Sequence, residues 1–450
     1  MKLTRREWLQ AMTGIGALGY AGGLSGLLRA ASSTSLVTDR YFVFAYFSGG
    51  WDGLLALDPR DPDIFTPAEV ANTGIQTGYG LLDLEDLLVP TSVDSMTFGP
   101  FIGNLATHAE KLVVLRGMAM SAVAHDPARK HALTGFMPAG TSARRSSVAT
   151  LLASLLGGNE PIPNLAVGVD SFNLGLPLWA SGLPAGDIDD LFKALTPVEV
   201  DLLDSQRDAL EDFFAKQLER ATTQIESSIY GNQVIARSLI EQDLAQHFDI
   251  DSSDATMVEL RARYGIDSGE GGDGGKMALL ASQALTQGVS RCVSIRVAEG
   301  LDSHQGFEWR VEHGANLTEG FNAIAALAED LDQRPFGDTG DSWLDHTTIC
   351  CFSEFGRGSM LNNAGGRDHS LINAMLLLGG GIAGGQVIGA STDTGMQAQA
   401  VNLQTGQLST SGELLSYDHV ARSLLSSVGV VDDVGDFRAD PITAMLTEST

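Results

Sequence analysis

Carboxylate and imidazole side chains recur in four short motifs of the sequence, and these residue types together can bind a divalent metal ion. The motifs are Gly-Gly-Trp-Asp-Gly, Gly-Leu-Asp-Ser-His, Ser-Glu-Phe-Gly-Arg and Gly-Gly-Arg-Asp-His. The candidate ligands in them are Asp52, Asp302, His304, Glu354, Asp368 and His369. Mixed ligands of this kind suit zinc, manganese or iron better than calcium. In an extended chain Asp302 and His304 would face the same ion, because alternate residues share a side.

Each motif lies beside a short apolar run that has the character of a buried strand. The predicted strands cover Tyr41–Phe47, 111–116, 289–297, Thr347–Phe352 and 374–378. The helical patterns between them cover 101–110, 128–134, Val148–Leu156 and 319–331. This alternation predicts an α/β fold with a mostly parallel central sheet and helices on both faces. Since functional groups gather at the carboxyl ends of parallel strands, the candidate ligands are expected to converge at one edge of the sheet.

Residues 187–288 depart from this alternation and predict an α-helical insertion, which would act as a cap or a partner surface. Leucine and phenylalanine recur at three-to-four spacing between residues 202 and 218, which is typical of an amphipathic helix. The glycine-rich segment 267–275 resembles a calcium loop in composition, but it lacks the regular spacing and the terminal glutamate. A flexible linker is therefore the preferred interpretation of that segment.

The charge balance excludes several classes of partner. The 450 residues include 28 Lys and Arg against 56 Asp and Glu, a formal net charge of −28. A nucleic acid or an anionic membrane surface would be repelled, because binding there depends on Lys and Arg. Three cysteines are too few for a disulfide framework.

The first thirty residues predict a signal for export. The segment 4–9 reads Thr-Arg-Arg-Glu-Trp-Leu and resembles the twin-arginine consensus, and an apolar, glycine-rich stretch follows from 12 to 28. The resemblance implies transfer by the export machinery for folded proteins, so that the mature chain would be periplasmic or extracellular. An uncleaved membrane anchor is the alternative for this segment.

Taken together, the four motifs resemble the secreted bacterial family labelled domain of unknown function 1501, which has been placed in the alkaline phosphatase and sulfatase superfamily. The likeness extends from about residue 40 to about residue 430, and its most specific parts are Ser-Glu-Phe-Gly-Arg and Gly-Gly-Arg-Asp-His. The resemblance implies an alkaline phosphatase-like domain over 40–430, with the helical segment 187–288 inserted in it.

The resemblance also implies one complete metal site and one incomplete site. The complete site comprises Asp302, His304 and His369. In the second site Asp52 and Glu354 lack a nitrogen ligand, because Phe355 stands where the superfamily has a histidine. Asp368 would have to complete it. The expected cofactor is zinc or manganese, with one tight ion and a second that is weak or absent.

The position of the superfamily's nucleophile is occupied by His125. The segment 125–135 shares a Pro, an Arg and a Leu-Thr-Gly with the sulfatase pattern, but it has no Cys or Ser at that position. His125 can serve as a nucleophile or general base, as a metal ligand, or as a polar residue of the loop. Ser121 is an alternative nucleophile. Arg129 and Arg357 would hold an anionic oxygen, or pair with carboxylates instead.

Two hypotheses about function follow from these residues. In the first, the protein is an exported metal-dependent hydrolase that cleaves a phosphate or sulfate ester, in a small anionic or glycan-linked substrate. In the second, it is a non-catalytic exported binding protein that has kept the fold and one metal. The complete ligand set favours the first hypothesis, and the missing hydroxyl nucleophile favours the second.

Overall fold

The computed structural model describes residues 36–196, 204–220, 244–269, 271–430 and 436–447. The predicted signal segment 1–30 lies outside the described residues, and so do parts of the predicted insertion, 197–203 and 221–243. Within the described ranges, no helix combines the length and the apolar character that crossing a membrane requires.

One large sheet forms the centre of the molecule. Its strands are β1 (Tyr41–Phe47), β2 (Leu112–Ala119), β3 (Asn164–Val167), β4 (Leu183–Ala185), β5 (Cys292–Ala298), β6 (Thr347–Phe352), β9 (Ile372–Gly379) and β10 (Gln386–Ile388). They are arranged in the order β10-β2-β9-β6-β1-β5-β3-β4, and a small separate sheet pairs β7 (Gly356–Arg357) with β8 (His369–Ser370). The fold class predicted from the sequence, α/β with a mostly parallel sheet, is confirmed.

Helices cover both faces of this sheet. They are α1 (Val70–Thr73), α2 (His125–Thr134), α3 (Val148–Leu156), α4 (Ile188–Leu195), α5 (Asp204–Arg220), α6 (Ala255–Arg263), α7 (Gly272–Thr286), α8 (Gly314–Gln333), α9 (Trp343–His346) and α10 (Tyr417–Ser426). Strand β1 shows why the sheet is buried on both sides. Val43 and Phe47 belong to one apolar core, whereas Phe42, Phe44 and Tyr46 belong to the other. Alternate side chains of a strand point to opposite faces, so both faces need an apolar cover.

The direction of β9 decides where its motif lies. Strand β9 pairs antiparallel with both β2 and β6, whereas the other pairings in the large sheet are parallel. The amino end of β9 therefore lies at the same edge as the carboxyl ends of β1, β5 and β6. The Gly-Gly-Arg-Asp-His motif precedes β9, so it arrives at the edge where the other motifs end.

Several elements differ from the sequence prediction. Strands β3, β4 and β10 were not predicted, and the segment predicted as helix 101–110 contains a 3₁₀ helix, Gly103–Lys111. Within 187–288 the structure has α4, α5, α6 and α7, of which α7 packs on β5 and α8. The glycine-rich segment 267–275 leads into α7, whose apolar residues lie in the core. The end of the predicted insertion is thus part of the helical layer.

Candidate metal centre

Six side chains meet at the carboxyl edge of β1, β5 and β6, and we call them the Asp302 cluster. Its members are His125, Asp302, His304, Glu354, Asp368 and His369. His125 is the first residue of α2, and Asp302 and His304 follow β5. Glu354 follows β6, and His369 begins β8, just before β9. The structure therefore brings together five of the six residues predicted as metal ligands, and adds His125.

Asp302 lies at the centre of this cluster. Its Oδ1 atom is 3.1 Å from Nε2 of His304 and 3.0 Å from Nε2 of His369. The two Nε2 atoms are themselves 3.0 Å apart. On the other side, Oδ2 of Asp302 is 3.3 Å from Nε2 of His125. Donor atoms of His125, Asp302 and His369 also lie within 4.8 Å of one another, close enough to share a metal ion.

The second nitrogen of each imidazole faces an oxygen atom. Nδ1 of His304 lies 3.1 Å from Oδ1 of Asp368, Nδ1 of His125 lies 2.9 Å from Oε1 of Glu354, and Nδ1 of His369 contacts the carbonyl oxygen of Val123. A carbonyl oxygen only accepts hydrogen bonds, so Nδ1 of His369 carries the hydrogen and Nε2 of the neutral ring has a free lone pair. Histidines that bind metals are held in this way, with the outer nitrogen donating to a carboxylate or a carbonyl.

The charges of the cluster are compatible with a divalent cation. Three carboxylates, from Asp302, Glu354 and Asp368, face one guanidinium, from Arg357, which leaves −3 + 1 = −2 with neutral imidazoles. Burial acts to raise the pKa of Asp302, but the hydrogen bond from Arg357 and the contact with His369 outweigh it and hold that pKa well below its usual value. Donor separations of 3.0–3.1 Å approach the roughly 3.3 Å expected around a tetrahedral ion with bonds of about 2.0 Å. The residues present thus fit a divalent cation.

His125 and Glu354 form an imidazole–carboxylate pair beside this centre. The Glu354 side chain is 1 % exposed, and the backbone N–H of Gly49 donates to both of its oxygens at 3.1 Å. The hydrogen bond with Glu354 raises the pKa of His125, although burial opposes the rise. Burial acts to raise the pKa of Glu354, but the hydrogen bond from His125 brings it below the usual value. The imidazole can therefore take up and return a proton.

Arg357 contacts the cluster from the buried side. Its side chain is fully buried, and it donates to Oδ1 of Asp302 at 2.6 Å. Its remaining N–H groups face the backbone carbonyls of Gly49, Gly50 and Arg367 and, at 3.5 Å, Nε2 of His304. Since these donors are used within the protein, Arg357 positions Asp302 and is not available to clamp an anionic oxygen of a substrate.

Asp52 does not reach the cluster. Its Oδ2 atom accepts hydrogen bonds from Nε1 of Trp309 at 2.8 Å and lies 2.7 Å from Nε of Arg367. Its Oδ1 atom accepts from the N–H of Leu54 at 3.0 Å and caps a short 3₁₀ helix. The carboxylate is 1 % exposed, so these contacts account for it as the buried partner of Arg367.

Arg129 lies one turn along α2 from His125, but it points toward β3. Its Nε atom donates to Oδ2 of Asp170 at 2.7 Å. Ser121, the alternative nucleophile, is exposed in the segment between β2 and α2. Ser353, which was not predicted, has its hydroxyl 3.1 Å from Glu354, but this side chain is fully buried and donates to the carbonyl of Phe47.

Several contacts that shape the cluster have little or no signal in the sequence. The ring centroid of Phe355 lies 4.2 Å from that of His369 and 4.9 Å from that of His125. Nδ2 of Asn362 donates to Oδ1 of Asp368 at 2.9 Å. The turn-like composition around residue 362 could have suggested such a role. The carbonyl of Val123 acts through the backbone, which no residue type could have revealed.

The model of a family described as "Protein of unknown function (DUF1501)" matches residues 88–422 of the chain. The chain belongs to this family. All six residues of the Asp302 cluster lie within the part that matches DUF1501.

No curated protein matches the chain. Among solved structures, the chain is similar to one described as "Crystal structure of Ps i-CgsB in complex with k-i-k-neocarrahexaose". The identity is 9 % and the TM-score 0.34, over 89 % of this chain and 75 % of that chain. A likeness of this size says nothing about the activity of the DUF1501 chain.

Proposed function

We propose that the protein is an exported metal-dependent hydrolase that cleaves a phosphate or sulfate ester, and that it belongs to the alkaline phosphatase and sulfatase superfamily. The observation that supports this most strongly is the triangle of Oδ1 of Asp302 with the Nε2 atoms of His304 and His369. These atoms would hold zinc or manganese, and a second ion is not needed to balance the charge. When bound, the cation would supply Lewis acidity toward an ester oxygen.

The residues around the triangle have separate tasks in this proposal. His125 is the general base: Nε2 takes a proton from an attacking water molecule, the imidazolium lies 3.3 Å from Oδ2 of Asp302, and the proton is then returned to the leaving oxygen of the ester. Glu354 holds Nδ1 of His125 and stabilises the imidazolium. Arg357 keeps Asp302 in place while the charge on His125 changes. Water is the attacking group, since the hydroxyl of Ser353 is buried and committed to the carbonyl of Phe47.

The second candidate is a binding protein of the same fold that holds a metal without turning over an ester. One observation favours it: the position at which sulfatases have their nucleophile is a histidine that already contacts two carboxylates. In either case, export by the twin-arginine route remains part of the proposal, and it rests on the sequence of residues 4–9.

Metal content and ester turnover decide between the two. The full-length protein is loaded with zinc or manganese, its metal is quantified by mass spectrometry, and a panel of chromogenic phosphate and sulfate esters is assayed. We expect one equivalent of metal, with loss of both metal and turnover in His369→Ala. His125→Ala should keep its metal and lose turnover. His108→Ala serves as the matched control, because His108 lies in a separate 3₁₀ helix.

The possible outcomes separate the roles. Loss of metal in His125→Ala would make His125 a ligand and would remove the general base from the proposal. Full metal binding without turnover of any ester in the panel would favour the binding protein. Equal metal content in the wild type and in His369→Ala would refute the site itself.

A further inference from the structure

A pocket opens beside the Asp302 cluster, at the carboxyl ends of β1, β3, β4 and β5. Its volume is about 420 Å³, which is within the range of pockets that bind small ligands. The polar and charged residues that line it are Tyr46, Ser48, Arg129, Asp170 and Arg296. The backbone around Gly168 and Gly186 forms the rest of the wall. Such a space is larger than a single inorganic anion needs and has room for a sugar ring or a similar group.

The hydroxyl group of Tyr46 lies in the wall of this pocket, close to Ser48, Glu354 and Arg129. The Tyr46 side chain is 2 % exposed, yet within the described part of the chain its hydroxyl has no partner in hydrogen-bonding geometry. Burial raises the pKa of Tyr46 well above the usual value, so the hydroxyl keeps its proton. An acceptor atom of a ligand in the pocket would give this protonated hydroxyl a hydrogen bond of good geometry.

Two arginines line the pocket in a strongly acidic protein. Of the residues in the lining itself, Arg129 and Arg296 contribute +2 and Asp170 contributes −1, whereas Asp126 and Glu299 contact these arginines from outside the lining. Asp170 accepts from Nε of Arg129, and Nη2 of the same arginine lies 3.7 Å from Oδ1 of Asp126, which is beyond hydrogen-bonding distance, so the terminal nitrogens can still donate to a ligand. Arg296 contacts the exposed Glu299 at 3.2 Å through one Nη atom only.

The backbone makes room for Arg296. Gly168 has φ of +66°, and a Cβ atom there would lie 3.2 Å from Cβ and 3.5 Å from Nε of Arg296. A side chain at this position would be strained by the backbone angle and would press on the arginine. The arginine can lie against the chain where β3 ends because glycine is present.

We propose that this pocket is an oxyanion subsite, in which Tyr46, Arg129 and Arg296 bind a sulfate, phosphate or carboxylate group that is distinct from the ester at the Asp302 cluster. Planar guanidinium groups suit such oxyanions because they donate two parallel hydrogen bonds. Together with the ester proposed at the Asp302 cluster, the subsite predicts a ligand with at least two anionic groups. That this molecule is a substrate rests on the proposed hydrolase function, whereas binding of the oxyanion does not.

Binding of inorganic phosphate, sulfate and acetate to the full-length protein tests the subsite by calorimetry. The measurements use the His369→Ala protein as reference, so that the cluster contributes less to the signal. We expect at least one of the anions to bind, and the tightest one identifies the oxyanion. Adding Arg296→Gln should weaken this binding about tenfold or more, as expected for a lost hydrogen bond to a charged group.

The control is Arg145→Gln in the same background, since Arg145 pairs with Asp436 and does not line the pocket. If Arg296→Gln fails to fold, Tyr46→Phe removes only the hydroxyl and should also weaken binding. The subsite is refuted if no anion binds up to about 10 mM, or if Arg296→Gln and Arg145→Gln have the same affinity. Failure of every ester in the hydrolase assay would leave these binding results unchanged.

Discussion

Replacing Asp52 by asparagine distinguishes a buried ion pair from a metal ligand. Asp52 and Arg367 are 1 % and 0 % exposed, and Trp309 donates to the same carboxylate oxygen. Asparagine offers one acceptor oxygen, which cannot serve both Leu54 and the donors on the other side. Removing one partner of a buried pair costs about 3–5 kcal/mol, a large part of the 5–15 kcal/mol that is typical for folding.

Urea unfolding measures this loss, with tryptophan fluorescence and circular dichroism as separate probes. We expect the free energy of unfolding to fall by about 3–5 kcal/mol, with an unchanged metal content per folded molecule. Asp63→Asn is the matched control, because it removes the same charge from an exposed position. If Asp52→Asn loses its metal but unfolds at the same urea concentration as the control, Asp52 is a ligand and its assignment as the partner of Arg367 is refuted.

Three further predictions concern pH, packing and export. Burial lowers the pKa of His131 to about 4, against 6.5 in the unfolded chain, so the unfolded state binds more protons between these values and stability should fall as the pH drops from 6.5 to 4. His131→Leu should reduce this slope in urea titrations, and an unchanged slope would contradict the assignment. Gly50→Ala would place a Cβ atom 2.4 Å from an aromatic ring of the site at φ of +90°, so its melting temperature and metal content should fall, whereas Gly80→Ala enters open space. Lysine in place of both Arg5 and Arg6 should retain the precursor inside the cell, and normal amounts of exported protein would exclude the twin-arginine route.

Strands that are buried on both faces were predictable from the sequence. Tyr41–Phe47 and Thr347–Phe352 have the predicted bounds, because a strand covered on both faces is apolar throughout. The three-residue strand Leu183–Ala185 lies at the end of the sheet and contains a proline, so it has neither the length nor the composition of a central strand.

The candidate site was predictable where its residues follow a strand, as Asp302 and Glu354 do. The sequence carried no sign that β9 runs antiparallel to β6. The prediction that His369 lies at the same edge as Asp302 and Glu354 therefore rested on the Gly-Gly-Arg-Asp-His motif alone. The placement of Asp52 could not be predicted from its neighbours in sequence. Its partners, Trp309 and Arg367, are more than 250 positions away, and only the folded chain brings them within hydrogen-bonding distance.

The parallel course of β6 with β1 has a practical consequence for handling the protein. The segment 336–341 lies at the amino end of β6, and its Asp338 is exposed. Six residues of strand place it about 20 Å from the edge that carries the Asp302 cluster. A cysteine introduced at position 338 would allow attachment to a biosensor chip or a resin with that edge turned toward the solution. Ligands in flow could then reach both the cluster and the neighbouring pocket without contact with the solid support.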